Sequence, residues 1–219
     1  MQRTLLVLGA GLGGGAVRLP DRYYQEFVVL ILRSNGHYGY RKKPFVDGDE
    51  STWEEETDER ACACFWQICL KLEDMGMQPC MRCIGTSAGV DSTLSVVVSQ
   101  TGLRRERFKV SCFVAIAGAY HPQLYDLAGA RFRISSTRII VHHHKEDTLC
   151  SWPPVRDTWT RMQYHLGLNV YINELSFSRN PFVGSSFHNV SEYLLTQKAF
   201  WNIFESNDNC NFMEHCRKF

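Results

Sequence analysis

The sequence has almost no net charge: 24 Lys and Arg residues face 23 Asp and Glu residues, a formal charge of +1. Nucleic acids and anionic membranes attract proteins through a large positive field, so this balance gives no global electrostatic reason to expect either partner. Long apolar runs are also missing. The apolar run within residues 1–11 is too short to cross a membrane and lacks the layout of a signal peptide. We therefore expect a soluble, cytoplasmic protein with no nucleic-acid partner and no stable membrane insertion.

Paired metal-binding cysteine motifs are absent as well. The nine cysteines include one C-x-x-C pair, Cys80 and Cys83, and no second pair that would complete a zinc ribbon. Several others lie in apolar runs such as "ACACFWQICL", where a cysteine packs as a small hydrophobic side chain. An odd number of cysteines in such settings favours packing roles in a reducing compartment over a disulfide framework.

Short apolar segments alternate with amphipathic ones along the chain. Apolar, β-branched segments predict buried strands at residues 4–8, 27–32, 81–84, 109–116, 138–141 and 169–175. Helix-favouring stretches lie between them, at residues 58–75, 91–100, 154–166 and 190–204. This alternation predicts an α/β fold with a mostly parallel central sheet and helices on both faces. We find no internal repeat, and we predict a single domain over residues 1–205 followed by a loose tail over residues 206–219.

The pentapeptide "GTSAG", residues 85–89, fits the pattern G-x-S-x-G. The apolar "MRCI" precedes it, and "VDSTLSVVVSQ" follows with apolar residues at helical spacing. Strand, tight turn and helix in this order form a nucleophile elbow, which exposes the serine oxygen at the carboxyl edge of the sheet and above the positive end of the helix dipole. We therefore predict that Ser87 is a nucleophile.

A serine hydroxyl is a poor nucleophile at neutral pH and requires a histidine base held by an acid. In this type of sheet the partners follow in the order serine, acid, histidine, each after a later strand. Asp147 follows the segment "TRIIVHH", which contains the predicted strand of residues 138–141, and Glu146 beside it is the alternative acid. His188 stands between the final strand and the last helix. We predict Asp147 as the acid and His188 as the base.

Two backbone N–H groups must also face the oxyanion that forms during acyl transfer. The residue after the nucleophile, Ala88, supplies one of them in an elbow of this kind. The glycine-rich loop at residues 9–15 follows the first strand and is the source we predict for the second. Gly11 and Leu12 are the candidate donors in that loop.

The first strand with its glycine loop, "GTSAG", "VHHHKEDTL" and "FHNVSEYLL" together resemble the α/β-hydrolase superfamily. The chain length is similar to its phospholipase/carboxylesterase (acyl-protein thioesterase-like) branch, and the resemblance covers about residues 3–205. It implies a three-layer α/β-hydrolase fold. It also implies a serine hydrolase that cleaves a carboxylic ester or thioester of a small-molecule or acylated substrate through an acyl-enzyme, with Ser87, Asp147 and His188 as the triad and no cofactor.

The resemblance has one further match and two departures. His143 corresponds to the histidine that often precedes the acid in this family. The glycine loop has Gly9-Ala10 in place of the usual His-Gly pair, and the residues before His188 lack the common Gly-Gly-His sequence. A non-catalytic binding protein with the same fold is therefore the main alternative.

Other motifs suggest different functions. The loop also fits G-x-G-x-x-G, the dinucleotide-binding fingerprint of an oxidoreductase, but Pro20 interrupts the helix that should follow. "GTSAG" also occurs in patatin-like lipases, which use a Ser-Asp dyad, but here a well-placed histidine follows. The run from His142 to His144 invites a metal hypothesis, yet consecutive strand residues face opposite sides and cannot converge on one ion.

Aromatic residues near the predicted carboxyl edge are candidates for the substrate pocket. The segment of residues 33–57 is a long polar loop and contains three of them. The fourth follows Asp147 closely along the chain. These candidates are His37, Tyr38, Trp53 and Trp152.

Overall fold

The computed structural model describes residues 4–11, 19–32, 59–77, 80–98, 108–119, 134–176 and 187–205. Within them, six strands form one sheet in the order β2-β1-β3-β4-β5-β6, and every neighbouring pair is parallel. The strands are β1 (Thr4–Gly9), β2 (Phe27–Leu32), β3 (Cys80–Thr86), β4 (Lys109–Ile116), β5 (Arg138–His144) and β6 (Asn169–Leu175). The predicted parallel sheet is confirmed. The predicted tail at residues 206–219 lies outside the described residues.

The strands are apolar because both faces of the sheet are covered. In β1, Leu5 and Val7 belong to the core on one face, while Leu6 and Leu8 belong to the core on the other. All four side chains are fully buried. Such two-sided burial produces the continuous apolar runs that predicted the strands.

Helices cover the two faces in separate layers. On one face lie α2 (Glu59–Asp74), α3 (Ala88–Val98) and α4 (Trp152–Leu166). On the other lie α1 (Asp21–Glu26), α5 (Val190–Leu194) and α6 (Lys198–Glu205). The predicted three-layer α/β architecture is therefore confirmed. No helix among the described residues combines the length and the apolar character needed to span a membrane.

The prediction of one helix over residues 190–204 is wrong, because the chain turns between α5 and α6. The Thr196 amide donates to the Tyr193 carbonyl, three residues back, and the Thr196 hydroxyl bonds the same carbonyl at 2.7 Å. The Trp201 indole N–H donates to the Leu195 carbonyl at 2.8 Å. These bonds satisfy carbonyls that a continuous helix would have used.

The strand order makes the carboxyl ends of β1 and β3 a topological switch point. The chain passes from β1 to β2 on one side and then crosses to β3 on the other. Ligands of open parallel sheets bind at such a switch point, outside the carboxyl ends of the strands. The glycine loop follows β1 and Ser87 follows β3, so both predicted site segments start at this switch point.

Candidate active site

Ser87 lies at the sharp turn between β3 and α3. It is one of two described non-glycine residues with positive φ, at 53°. Residues other than glycine rarely adopt this backbone conformation, and it persists only where the surrounding structure enforces it. The Ser87 amide donates to the Ile116 carbonyl of β4 at 2.9 Å, and the Ser87 carbonyl accepts from the Val90 amide at 3.0 Å. These two bonds hold the partly exposed side chain at the carboxyl edge of the sheet.

The glycines of the pentapeptide let α3 pack directly on the strand ends. A methyl group at Gly85 would lie 2.6 Å from the Val90 Cα, and one at Gly89 would lie 2.3 Å from the Gly9 carbonyl oxygen. Both distances are shorter than any normal carbon contact. The G-x-S-x-G spacing therefore follows from the close approach of helix and sheet at this turn.

Asp147 lies in a turn directly after β5. Its amide donates to the His144 carbonyl at 3.0 Å. The carboxylate Oδ1 accepts from the Leu149 and Cys150 amides at 2.9 and 3.0 Å, which leaves Oδ2 to face His188. Glu146, the alternative acid, is exposed to solvent. The fold thus presents the Asp147 carboxylate, already oriented by the backbone, to the predicted base.

His188 lies in a short 3-10 turn, Phe187–Asn189, that leads into α5. Its Nδ1 is 2.8 Å from Asp147 Oδ2, and its Nε2 is 2.7 Å from Ser87 Oγ. An ionised carboxylate only accepts, so Nδ1 carries the proton and Nε2 accepts the hydrogen bond of the Ser87 hydroxyl. The structure therefore brings the three sequence-predicted residues into one hydrogen-bonded chain.

The surroundings of Asp147 keep its carboxyl group ionised. Burial alone would raise its pKa, but the hydrogen bond from His188 and the one from the Cys150 amide outweigh burial and lower the pKa below 3.8. At neutral pH the group is a carboxylate. It accepts the hydrogen bond of His188 Nδ1 and so favours the tautomer with the proton on that nitrogen.

Hydrogen bonds and ring stacking connect the Asp147 turn to neighbouring side chains. His143 Nε2 donates to the Cys150 carbonyl at 2.8 Å, and the His143 ring stacks on Trp152 with centroids 5.1 Å apart. The Trp152 indole N–H donates to Glu174 at 2.6 Å. Burial lowers the pKa of His143, which favours its neutral form. Trp152, a predicted pocket residue, is 6% exposed and packs against His143.

The predicted oxyanion donors lie beside Ser87 where the structure describes them. Ala88 is the first residue of α3, where backbone N–H groups have no acceptor within the helix. A methyl group at Gly11 would lie 3.7 Å from Ser87 Oγ, so the Gly11 backbone borders the Ser87 hydroxyl. The other predicted residues, Leu12, His37, Tyr38 and Trp53, lie outside the described residues.

The competing motifs can be compared with the described segments. The three histidines of β5 separate: His143 stacks on Trp152, His142 packs against Phe200 and His144 stacks on Phe187. No group of three His, Cys, Asp or Glu side chains within the described ranges could hold a metal ion. The described helix before β2 begins at Asp21, after Pro20, rather than at the glycine loop as a dinucleotide site requires.

Neither a family model nor a curated protein matches this sequence. Solved structures do match. One is an α/β-hydrolase enzyme from a Medee basin deep-sea metagenome library. The match covers 100% of this chain and 86% of that enzyme's chain, with a TM-score of 0.55 and 10% sequence identity. The chain has the α/β-hydrolase fold.

Two further matches have the same fold. A phospholipase/carboxylesterase from Dyadobacter fermentans matches over 90% of this chain and 90% of its own, with a TM-score of 0.55 and 13% identity. A thermostable esterase gives a TM-score of 0.62 at 14% identity over 93% of this chain. The chain spans about half of that esterase, at 54% of its length.

Sequence reasoning missed the contacts that surround the segments of Asp147 and His188. The Trp152–Glu174 hydrogen bond joins residues 22 positions apart, and the His144–Phe187 stack joins two different segments of the chain. The histidine run of β5 was the available signal, because three consecutive histidines at a strand end require partners on both faces of the sheet.

Proposed function

We propose that this protein is a serine hydrolase that cleaves a carboxylic ester or thioester through an acyl-enzyme intermediate. The observation that carries the proposal is the pair of hydrogen bonds from His188, at 2.8 Å to Asp147 and 2.7 Å to Ser87. The elbow conformation of Ser87 and the fold shared with an esterase and a carboxylesterase also support it.

In the first half of the proposed reaction, His188 Nε2 takes the proton of Ser87 Oγ as Oγ attacks the acyl carbon. The Ala88 and Gly11 amides donate to the oxyanion of the tetrahedral intermediate. When the intermediate collapses, the bond to the alcohol or thiol breaks, and His188 returns the proton to that leaving group. Asp147 holds the imidazole in the required tautomer and stabilises its charged form throughout.

In the second half, water replaces the leaving group. His188 takes a proton from water, the hydroxide oxygen attacks the acyl carbon, and a second oxyanion forms against the same two amides. Collapse breaks the bond to Ser87 Oγ, which recovers its proton from His188, and the carboxylic acid leaves. Esters and thioesters follow the same steps because only the leaving atom differs.

The proposed acyl-enzyme can be tested with p-nitrophenyl acetate in a stopped-flow experiment. We expect a burst of p-nitrophenolate, close to one per protein molecule, wherever acylation is faster than deacylation. Ser87→Ala should lower kcat by roughly 10⁶-fold, as expected for loss of a triad nucleophile. The matched control is Ser111→Ala, since Ser111 bonds the Met81 carbonyl at the opposite end of the sheet. Hydrolysis that is equal in the two variants would refute the proposal.

A further inference from the structure

His188 depends on a short turn for its position. The turn is three residues long, and Asn189 gives α5 no side-chain capping bond. The imidazole must nevertheless keep Nδ1 at 2.8 Å from Asp147 and Nε2 at 2.7 Å from Ser87. A misplacement of about 1 Å in such a group lowers the rate by about 10²-fold. The contacts that fix this turn therefore matter for the reaction.

Phe187, the residue before the base, packs flat against His144. The two ring centroids are 3.8 Å apart, and the ring planes differ by 4°. His144 is fully buried, and its backbone pairs with Leu175 of β6. The His144 ring thus has a fixed position at the carboxyl end of β5, and the turn that carries His188 contacts it through Phe187.

His144 also holds the turn that carries the acid. Its carbonyl accepts the Asp147 amide at 3.0 Å, and its Nδ1 accepts the Glu146 amide at 3.2 Å. One residue therefore contacts the turn of Asp147 through hydrogen bonds and the turn of His188 through its ring. A phenylalanine at position 144 would supply the ring but not the Nδ1 acceptor.

We propose that His144 and Phe187 form a positioning pair that sets His188 against Asp147. Its catalytic consequence rests on the function proposed above. The pair acts through the backbone on either side of it: Phe187 fixes its neighbour His188, and His144 fixes residues 146 and 147. Neither ring has a role in the proposed proton transfers.

Four variants separate the ring contact from the hydrogen bond. Phe187→Ala removes one ring, and His144→Asn removes the other while keeping an acceptor near the Nδ1 position. We expect kcat for p-nitrophenyl acetate to fall about 10- to 100-fold in each, with KM within about threefold of the wild type. Phe187→Tyr should restore kcat to within about threefold, and His144→Phe should lose less than His144→Asn.

The double variant and a packing control complete the kinetic test. Because the two residues form one contact, Phe187→Ala with His144→Asn should fall no further than the more damaged single variant. Phe200→Leu is the control, since Phe200 is buried in the core on one face of the sheet and its ring contacts His142. It should lower thermal stability with little change in kcat. Multiplicative losses in the double variant would contradict the pair.

A proton NMR measurement tests the pair without any catalysis. The Nδ1 proton of His188, hydrogen-bonded to Asp147, should give a downfield signal that His188→Asn removes. We expect this signal to weaken through faster exchange with water in Phe187→Ala and to persist in Phe187→Tyr. A signal and a kcat that are both unchanged in Phe187→Ala would overturn the pair. A wild type that shows the signal but cleaves no ester would refute the proposed function, while loss of the signal in Phe187→Ala would still support the pair.

Discussion

Acid should destabilise this protein through His142 in particular. The imidazole is 2% exposed, and burial lowers its pKa from 6.5 to about 4. Asn173 Nδ2 lies 3.0 Å from its Nδ1, and an amide NH₂ only donates, so Nδ1 is unprotonated in the folded state. Between pH 6.5 and about 4 the unfolded chain binds this proton and the folded chain does not. The unfolded state then binds more protons, so the free energy of unfolding falls as the pH falls.

The size of the effect follows from the interval between the two pKa values. From 6.5 to about 4, at 1.36 kcal/mol per pKa unit, the contribution of His142 is about 3 kcal/mol. It is fully present above pH 6.5 and is lost by about pH 4. A loss of this size is a large fraction of the roughly 5–15 kcal/mol that stabilise a typical domain.

Urea unfolding of the wild type and of His142→Asn at several pH values measures this contribution. The asparagine Oδ1 can accept from Asn173 in place of Nδ1, and it does not titrate in this range. The cavity it leaves lowers stability by the same amount at every pH. Between neutral pH and about pH 4, the wild type should therefore lose about 3 kcal/mol more than the variant. Equal losses in the two proteins would refute the reasoning.

Three further predictions concern the site and its supports. Asp147→Asn should lower kcat by about 10⁴-fold in the p-nitrophenyl acetate assay, because an amide reverses the tautomer of His188; a loss under tenfold would argue against Asp147 as the acid. Gly89→Ala should lower the free energy of urea unfolding by about 1–3 kcal/mol, because the added methyl group meets the Gly9 carbonyl at 2.3 Å; unchanged stability would contradict this packing. His143→Leu should lower the free energy of urea unfolding by about 1–3 kcal/mol, because the Cys150 carbonyl loses its donor. His143→Gln keeps a donor and should lower that free energy by less. Equal losses of stability in the two variants would exclude a role for this hydrogen bond.

Most of the sheet was predictable from the sequence because parallel strands are buried on both faces. The predicted bounds of β2, β4 and β6 match the observed strands residue for residue. The prediction for β5 stopped at Val141, yet the strand continues to His144. Histidine is a polar residue, so the apolar run that predicted the strand ends where the three histidines begin. Their rings pack against residues from other parts of the chain, namely Phe200, Trp152 and Phe187.

The candidate site was predictable in its order but not in its contacts. Strand ends of a parallel sheet share one edge, so residues after β3, β5 and β6 were expected to lie near one another. The sequence does not give the distances between side chains, however, because Ser87 and His188 are 101 residues apart and meet only in the folded chain. The break before α6 was also hidden, because it depends on the Thr196 hydroxyl and the Trp201 indole bonding carbonyls that a helix would otherwise use.

The most direct test of the account is covalent labelling with a fluorophosphonate, followed by mass spectrometry of the peptide that contains Ser87. We predict one adduct per molecule, located on Ser87, whose rate of formation falls by several orders of magnitude in His188→Ala. Ser111→Ala should be labelled like the wild type. An adduct that persists in Ser87→Ala, or a folded wild type that remains unlabelled, would contradict Ser87 as the nucleophile.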